Sequence, residues 1–315
     1  MPGQAGHRSR WAAPLLLAGF LLTAPKSFLL GPLTLLLLLS RPRTLREWLW
    51  IGISVAAAFV MLRVPATLAE RTIRAAGAFF TGAFVMTSLL GIPSLFRRAL
   101  FAVGITTGAT AGWFAALGLG WSDLVTSVRD WEWSAMRLVR PDLPDTPPLG
   151  AGIGGSEAEK IAAGFAQGLH ATSHLFPAML AIVAMGGGWL AWVWYHRVAS
   201  RPIGRPSPPF HEFRFSDHLI WLVVAAGAIA LAPLPAGWHP LGVNLLVFLL
   251  ALYAGRGLAV IQTGLRRAPA GLGLLLLATA PFLFPLAVTV CTLTGLADTW
   301  LDLRRRMLPP EGAPT

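Results

Sequence analysis

The chain has 315 residues, of which 55% are hydrophobic and 12% charged, with a formal net charge of +11. Its apolar residues form long consecutive runs with charged junctions, which excludes an ordinary soluble domain and predicts an all-α, polytopic integral membrane protein. The arginines are dispersed over short junctions, so the positive-inside rule explains the excess charge better than nucleic-acid binding does. Cys291, the only cysteine, excludes a disulfide framework and a thiolate metal cluster.

The N-terminal stretch, residues 11–39, is interrupted at 24–26 around Pro25. Arg8 and Arg10 before it give a superficial likeness to a signal peptide, but more apolar sequence follows and we interpret it as a retained anchor. The last stretch, 271–297, is interrupted in the same way by prolines. Proline removes an amide donor and bends a helix, so each end is predicted to form a helical hairpin.

Between these ends, six runs are predicted to cross the membrane in full. They are residues 48–63, 73–91, 99–120, 172–195, 217–235 and 241–262. With the two proline-broken ends, up to about eight to ten membrane segments are expected in one domain over 1–315.

Charge at the junctions predicts the orientation of the spans. The basic junctions alternate as cytoplasmic loops if each of the six runs crosses once. They are 41–46, 97–98, 197–214 and 266–267. The acidic segment 122–171 then lies outside, and both termini lie in the cytoplasm of a bacterial inner membrane. Arg63, Arg71 and Arg74 fit this orientation poorly, because it places them outside.

The outer segment is the only sizeable region without a membrane run. Residues 122–139 alternate charged and apolar positions, which predicts a helix on the membrane surface. Residues 141–155 form a Pro/Gly-rich linker. Its glycines follow no predicted strand and would lie outside the cell, so no phosphate-binding loop is predicted there. Ser156 and Glu159 predict a capping box, with a helix that continues through 170 into the next span.

A row of small residues lies in the third span. Gly104, Gly108 and Gly112 recur every four residues, a spacing that lets helix backbones approach closely in lipid. We expect this row to pack against a helix of the same chain; a surface for a separate membrane partner is the alternative.

His170 and His174 lie four residues apart on one face of a predicted helix. Two metal ligands need such a spacing, but no third ligand stands nearby, so no metal site is predicted. The pair stays a candidate for substrate binding. The alternative is that both are ordinary interfacial histidines, hydrogen-bonded to loop backbone.

Arg256 is the one arginine in the interior of a predicted span; the others lie between the runs or at their ends. A charge at this depth is costly and usually faces a cavity or a counter-ion, although a long side chain can also reach the interface. Asp298 and Asp217 are the candidate partners. Asn244 adds a polar group to the same helix, which makes 241–262 the best candidate for a substrate-binding helix, with Asn244, Arg256 and Asp298 as its site residues.

No catalytic set stands out in the sequence: there is no Ser/His/Asp arrangement and no pair of carboxylates in a span. We therefore expect no enzymatic activity and no cofactor. Membrane lipid, and other membrane subunits bound through small-residue helix faces, are the expected partners.

Three motifs in the last third of the chain resemble one family. They are PFHEFRFSDHLIW at 209–221, Asn244 followed by YAGRGLAV at 253–260, and GLADTWLDLR at 295–304. In them the chain resembles the YybS-like family (DUF2232), bacterial membrane proteins of unknown function. Arg256 departs from this pattern, because an uncharged polar residue is expected before Gly257.

The family is in turn distantly similar to the S components of energy-coupling-factor transporters and to the rod-shape membrane protein MreD. The first similarity implies a small-molecule-binding subunit, with substrate entering beneath 122–171 and partner subunits supplying energy. This is the leading hypothesis for function. The second similarity implies a membrane scaffold or envelope assembly factor, the main alternative, and an intramembrane enzyme is third.

Overall fold

The structure, a computed structural model, describes residues 5–64, 66–148, 157–235, 237–265, 282–303 and 306. Three predicted features lie outside the described residues and side chains. They are the glycines of the linker, the Ser156–Glu159 capping box and the first part of the C-terminal hairpin, with Pro281. Two compact units divide the chain, Met1–Ser207 and Pro208–Thr315. Both units contain long apolar helices, and the predicted single membrane domain stays a prediction.

Regular structure in the described residues is helical throughout, which confirms the predicted fold class of a polytopic membrane protein. The first unit contains α1 (Ala5–Thr23), α2 (Ser27–Leu39), α3 (Leu45–Arg63), α4 (Leu68–Leu89), α5 (Leu95–Ala116), α6 (Trp121–Val139), α7 (Glu157–His174) and α8 (Phe176–Val198). The second contains a 3-10 turn (Phe210–Glu212), α9 (Leu219–Leu231), α10 (Trp238–Leu265) and α11 (Phe284–Leu301).

Six of these helices are long and apolar enough to cross a membrane: α3, α4, α5, α8, α10 and α11. The prediction that 217–235 is a full span is wrong in its length, because α9 has only 13 residues. Such a helix is about 20 Å long, against about 30 Å of hydrocarbon. Pro233 and Pro235 follow its end and prevent it from continuing. The sixth long helix is instead α11, which begins in the predicted broken stretch 271–297 and extends to Leu301.

Two predictions about helix ends had opposite outcomes. The break around Pro25 is confirmed, since α1 ends at Thr23 and α2 begins at Ser27. The continuous helix from 170 into the fourth span is wrong, because α7 ends at His174 and α8 starts at Phe176. Pro177 lies in the first turn of α8, where a missing backbone N–H costs least. Because proline has no N–H, it cannot donate a hydrogen bond to a carbonyl of α7.

The core of the first unit lies where α2, α4 and α8 pack together. Phe28 meets Phe80 edge-on at 5.7 Å between ring centroids, and Phe84 meets Trp192 at 6.5 Å. A Cβ on Gly188 would lie 2.8 Å from Phe80, so only glycine lets α8 approach these rings. The predicted surface helix is confirmed as a helix, α6, and Trp133 of α6 packs with α7.

Glycines set the closest helix contact of the second unit. Gly257 of α10 faces Gly295 of α11, and a Cβ on Gly257 would overlap the Cys291 carbonyl. A Cβ on Gly295 would likewise overlap the Tyr253 carbonyl. Backbones that approach this closely gain packing contacts, which drive helix association in lipid.

Replacement of Gly257 by alanine tests this contact. The methyl group has no space against backbone atoms, so G257A should lower the free energy of unfolding by about 1–3 kcal/mol. Thermal unfolding of the purified protein in detergent measures the loss. G227A, in α9, is the matched control, because no atom lies within 4 Å of its added Cβ. Equal stability of both variants would contradict the close packing of α10 and α11.

Candidate functional site

Arg256 lies deep in α10 and is the most buried cation among the described residues. Only 4% of its surface is exposed, and nine residues of helix, about 14 Å, separate it from the end of α10 at Leu265. A guanidinium at this position loses its hydration and needs polar partners inside the protein. The side chain is therefore enclosed by other residues of the chain.

Two carboxylates and one carbonyl meet the guanidinium. Its Nε donates to Asp298 Oδ2 at 2.9 Å, and Nη1 donates to Asp217 Oδ1 at 2.7 Å. Its Nη2 donates to the main-chain oxygen of Asp298 at 3.2 Å. Both partners proposed from the sequence are therefore the partners that the structure gives to Arg256. We call these three residues the Arg256 centre.

The two carboxylates come from opposite kinds of helix end. Asp298 lies in the last turn of α11, whose final four carbonyls have no partner within the helix. The guanidinium satisfies one of them and places positive charge at the negative end of the helix. Asp217 lies two residues before α9 begins, where negative charge is favoured. Arg256 thus joins the start of α9 to the end of α11.

Exposure differs sharply between the two carboxylates. The Asp298 side chain is fully buried, whereas that of Asp217 is 62% exposed. The buried pair is screened little by salt, and the outer pair is screened strongly. The centre therefore has one permanent partner inside the protein and one partner at its surface.

Aromatic rings complete the wall of the centre. The centroid of the Phe215 ring lies 5.4 Å from the guanidinium carbon, in a cation–π arrangement. Tyr253, one turn before Arg256, meets Phe215 edge-on at 5.1 Å and is fully buried. These two rings exclude water from one side of the charged group.

A second ion pair lies between the same two segments. Arg214 pairs with Asp302, and both side chains are about half exposed. Asp302 caps α11 in the left-handed conformation, with φ of 42°. The motifs at 209–221 and 295–304 thus meet directly through Arg214 and Asp302. Further inside, Arg256 joins Asp217 of the first motif to Asp298 of the second.

The other predicted site residues do not join this centre. Asn244 is buried on the same helix, but twelve residues or about 18 Å away, and its amide donates to Pro240 O at 2.8 Å. His170 and His174 belong to the first unit. The single substrate site proposed from Asn244, Arg256, Asp298 and the histidines is therefore not assembled within the described residues of either unit.

The histidines form a pair of their own. Their rings meet edge-on at 4.8 Å, and His174 lies 6.4 Å from Trp121. Burial, and then the neighbouring His170, lower the pKa of His174. In the described part of the chain no group of three metal-ligating side chains forms. Their proposed role in substrate binding stays a prediction.

The glycine row of α5 is open. A Cβ on Gly104, Gly108 or Gly112 would meet no heavy atom within 4 Å. The expected packing against a helix of the same chain is therefore not made by the described residues, because α4 and α8 contact other faces of α5. The alternative, a surface for a separate partner, stays a prediction.

Sequence reasoning missed the aromatic wall and the outer ion pair. Phe215 and Tyr253 resemble ordinary apolar residues of a membrane protein, and nothing in their spacing points to a cation. Arg214 and Asp302 did carry a signal, since each lies in the same motif as a partner of Arg256.

Loss of the guanidinium should destabilise the second unit. R256Q leaves Asp298 buried without its counter-ion, which costs about 3–5 kcal/mol. R214Q breaks the exposed pair only and should cost less than about 1 kcal/mol. Thermal unfolding of both variants in detergent measures the contrast. Similar midpoints for R256Q and wild type would show that the buried pair contributes nothing.

Comparison with known proteins identifies one family. Residues 149–299 match the model of a family described as predicted membrane protein, DUF2232. The matched residues include the whole Arg256 centre and end before Asp302. Searches of curated proteins and of solved structures found no match. Residues 149–299 are therefore similar to DUF2232, the family that the three motifs predicted.

Proposed function

We propose that this chain is a non-catalytic subunit of a membrane complex, acting as a scaffold or assembly factor. The hydrogen bonds of the polar side chains buried in α10 support this proposal. Two polar side chains buried in α10 are bonded within the chain: Arg256 to two carboxylates, and Asn244 to its own helix. A subunit of this kind contributes shape and helix surfaces to its partners, and binds no substrate at these groups.

The observation that carries the proposal is the full engagement of Arg256. Its three nitrogens donate to oxygens of Asp298 and Asp217, and the centroid of the Phe215 ring lies 5.4 Å from its carbon. A substrate carboxylate or phosphate would have to displace Asp298, which is itself buried. The centre is better suited to fix the ends of α9 and α11 than to bind a ligand.

A small-molecule-binding subunit, as the likeness to S components implied, is the second candidate. A surface groove of about 600 Å³ favours it. The groove is lined by Thr67 at the start of α4 and by Ser122, Thr126, Asp130, Trp131 and Ser134 of α6. These hydroxyls, carboxylate and indole would suit a polar or cationic ligand, and α6 belongs to the segment predicted to lie outside.

The proposed location is a bacterial inner membrane, with both termini in the cytoplasm. The three arginines that fit this orientation poorly have local partners at the α3–α4 junction. Arg74 donates to the Val64 carbonyl after α3, and Arg71 donates to the Ala66 carbonyl at 3.0 Å. Arg63 lies over the Phe59 ring. Each cation is thus held beside its own junction.

Reporter fusions test the orientation. A phosphatase reporter inserted at 141–148 should be active, because that enzyme requires the oxidising outer compartment. A fluorescent-protein fusion to the C-terminus should fluoresce, since the terminus is placed in the cytoplasm. The opposite result at either position would invert or break the proposed topology.

Partner capture from native membranes tests the scaffold proposal. G108L places a large side chain on the open face of α5 and should reduce recovery of membrane partners about fivefold or more, because a lost close contact costs about 1–3 kcal/mol. G52L is the matched control, since Gly52 is also open and lies on α3. Equal recovery with both variants would reject α5 as the partner face.

Analysis of the same preparation by mass spectrometry separates the two candidates. The scaffold proposal predicts partner proteins and no stoichiometric small molecule. A small molecule bound by wild type and lost in D130N, a variant of the α6 groove, would favour the S-component-like function instead.

A further inference from the structure

Three basic junctions meet at one end of the first unit. Ser200 lies just after α8, and its backbone N–H donates to Glu47 Oε1 at 2.6 Å. This bond joins the segment that follows α8 to the start of α3. Glu47 also accepts the amides of Arg43 and Thr44 at 2.8 Å. The junction at 41–46 is therefore fixed beside residues 199–201.

The third junction is attached to the same segment. Arg98 lies over the Trp192 ring, at 4.8 Å from its centroid, and donates to the Ile92 carbonyl at 2.6 Å. Trp192 in turn donates to the Arg205 carbonyl at 3.3 Å. The junctions before α3, before α5 and after α8 thus form one surface.

Seven arginines of these junctions are exposed, and we call them the basic face. They are Arg41, Arg43, Arg46, Arg97, Arg197, Arg201 and Arg205. Within residues 41–47, 97–98 and 197–205, Glu47 is the only carboxylate, and it is 1% exposed and bonded internally. No ion pair between the described side chains involves any of the seven. The charge of the basic face is therefore directed outward.

Apolar side chains border the basic face directly. Leu38 and Leu39 precede Arg41 at the end of α2, and Leu45 and Leu49 belong to the first turns of α3; all four are exposed. Trp48 of α3 is 54% exposed. Tryptophan is enriched at the level of lipid headgroups, so this end of the unit matches the boundary between headgroups and acyl chains.

We propose that the basic face is a binding site for the phosphates of anionic phospholipid headgroups, with the bordering leucines and Trp48 in contact with the acyl chains. Charge complementarity selects a phosphate, and the adjoining apolar border selects a lipid over a soluble anion. Each arginine near an anionic surface contributes about 1 kcal/mol, or about fivefold in affinity. The site does not depend on the proposed scaffold function.

Lipid binding to the full-length protein tests this site. Native mass spectrometry in detergent measures adducts with phosphatidylglycerol and with phosphatidylcholine. Wild type should prefer phosphatidylglycerol, and R41Q/R43Q/R201Q should bind it on the order of 100-fold more weakly. R63Q/R71Q/R74Q is the matched control: it removes the same charge from the α3–α4 junction and should retain the preference.

Three outcomes would overturn the proposal. They are equal binding of the two lipids by wild type, equal loss in both triple variants, and displacement of the lipid by inorganic phosphate at the same concentration. If the first triple variant fails to fold, salt dependence of the wild type provides the test. Added sodium chloride should weaken phosphatidylglycerol binding by screening, and adducts that are insensitive to salt would reject the site.

Discussion

A charged group buried in a membrane helix must be compensated, and this constraint shapes the second unit around Arg256. Its guanidinium is almost fully buried in α10, and its partners come from the start of α9 and the end of α11. Removal of one partner from such a pair leaves an uncompensated charge, which is far more costly than the loss of an exposed pair. One side chain in the interior of α10 therefore fixes the start of α9 to the end of α11.

The contact between α10 and α11 makes this arrangement possible. Gly257 follows Arg256 directly, and Gly295 precedes Asp298 by one helical turn. Because neither glycine has a side chain, the two backbones approach closely enough for the Asp298 carboxylate and carbonyl to reach the guanidinium. Packing and charge compensation thus depend on the same short stretch of both helices.

The sequence predicts those features that the membrane itself imposes. Long apolar runs identify the helical class, and a lone arginine in a span requires a counter-ion, which is why both Asp298 and Asp217 could be proposed. The length of α9 and the break at Leu175 were missed, since they depend on how prolines end a helix locally. The open glycine row on α5 was also missed, because spacing alone does not tell which helix a face meets.

The proposed function rests on the absence of a free ligand-binding position in the Arg256 centre. A ligand-binding arginine needs a cavity beside it, whereas this one is surrounded by chain atoms of its own unit. A double-mutant cycle with R256M and D298L, followed by thermal unfolding, tests this most directly. The structural role predicts about 3–5 kcal/mol of loss in R256M and recovery of most of it in the double variant. Additive losses within about 0.5 kcal/mol would contradict the claim that these two groups stabilise each other.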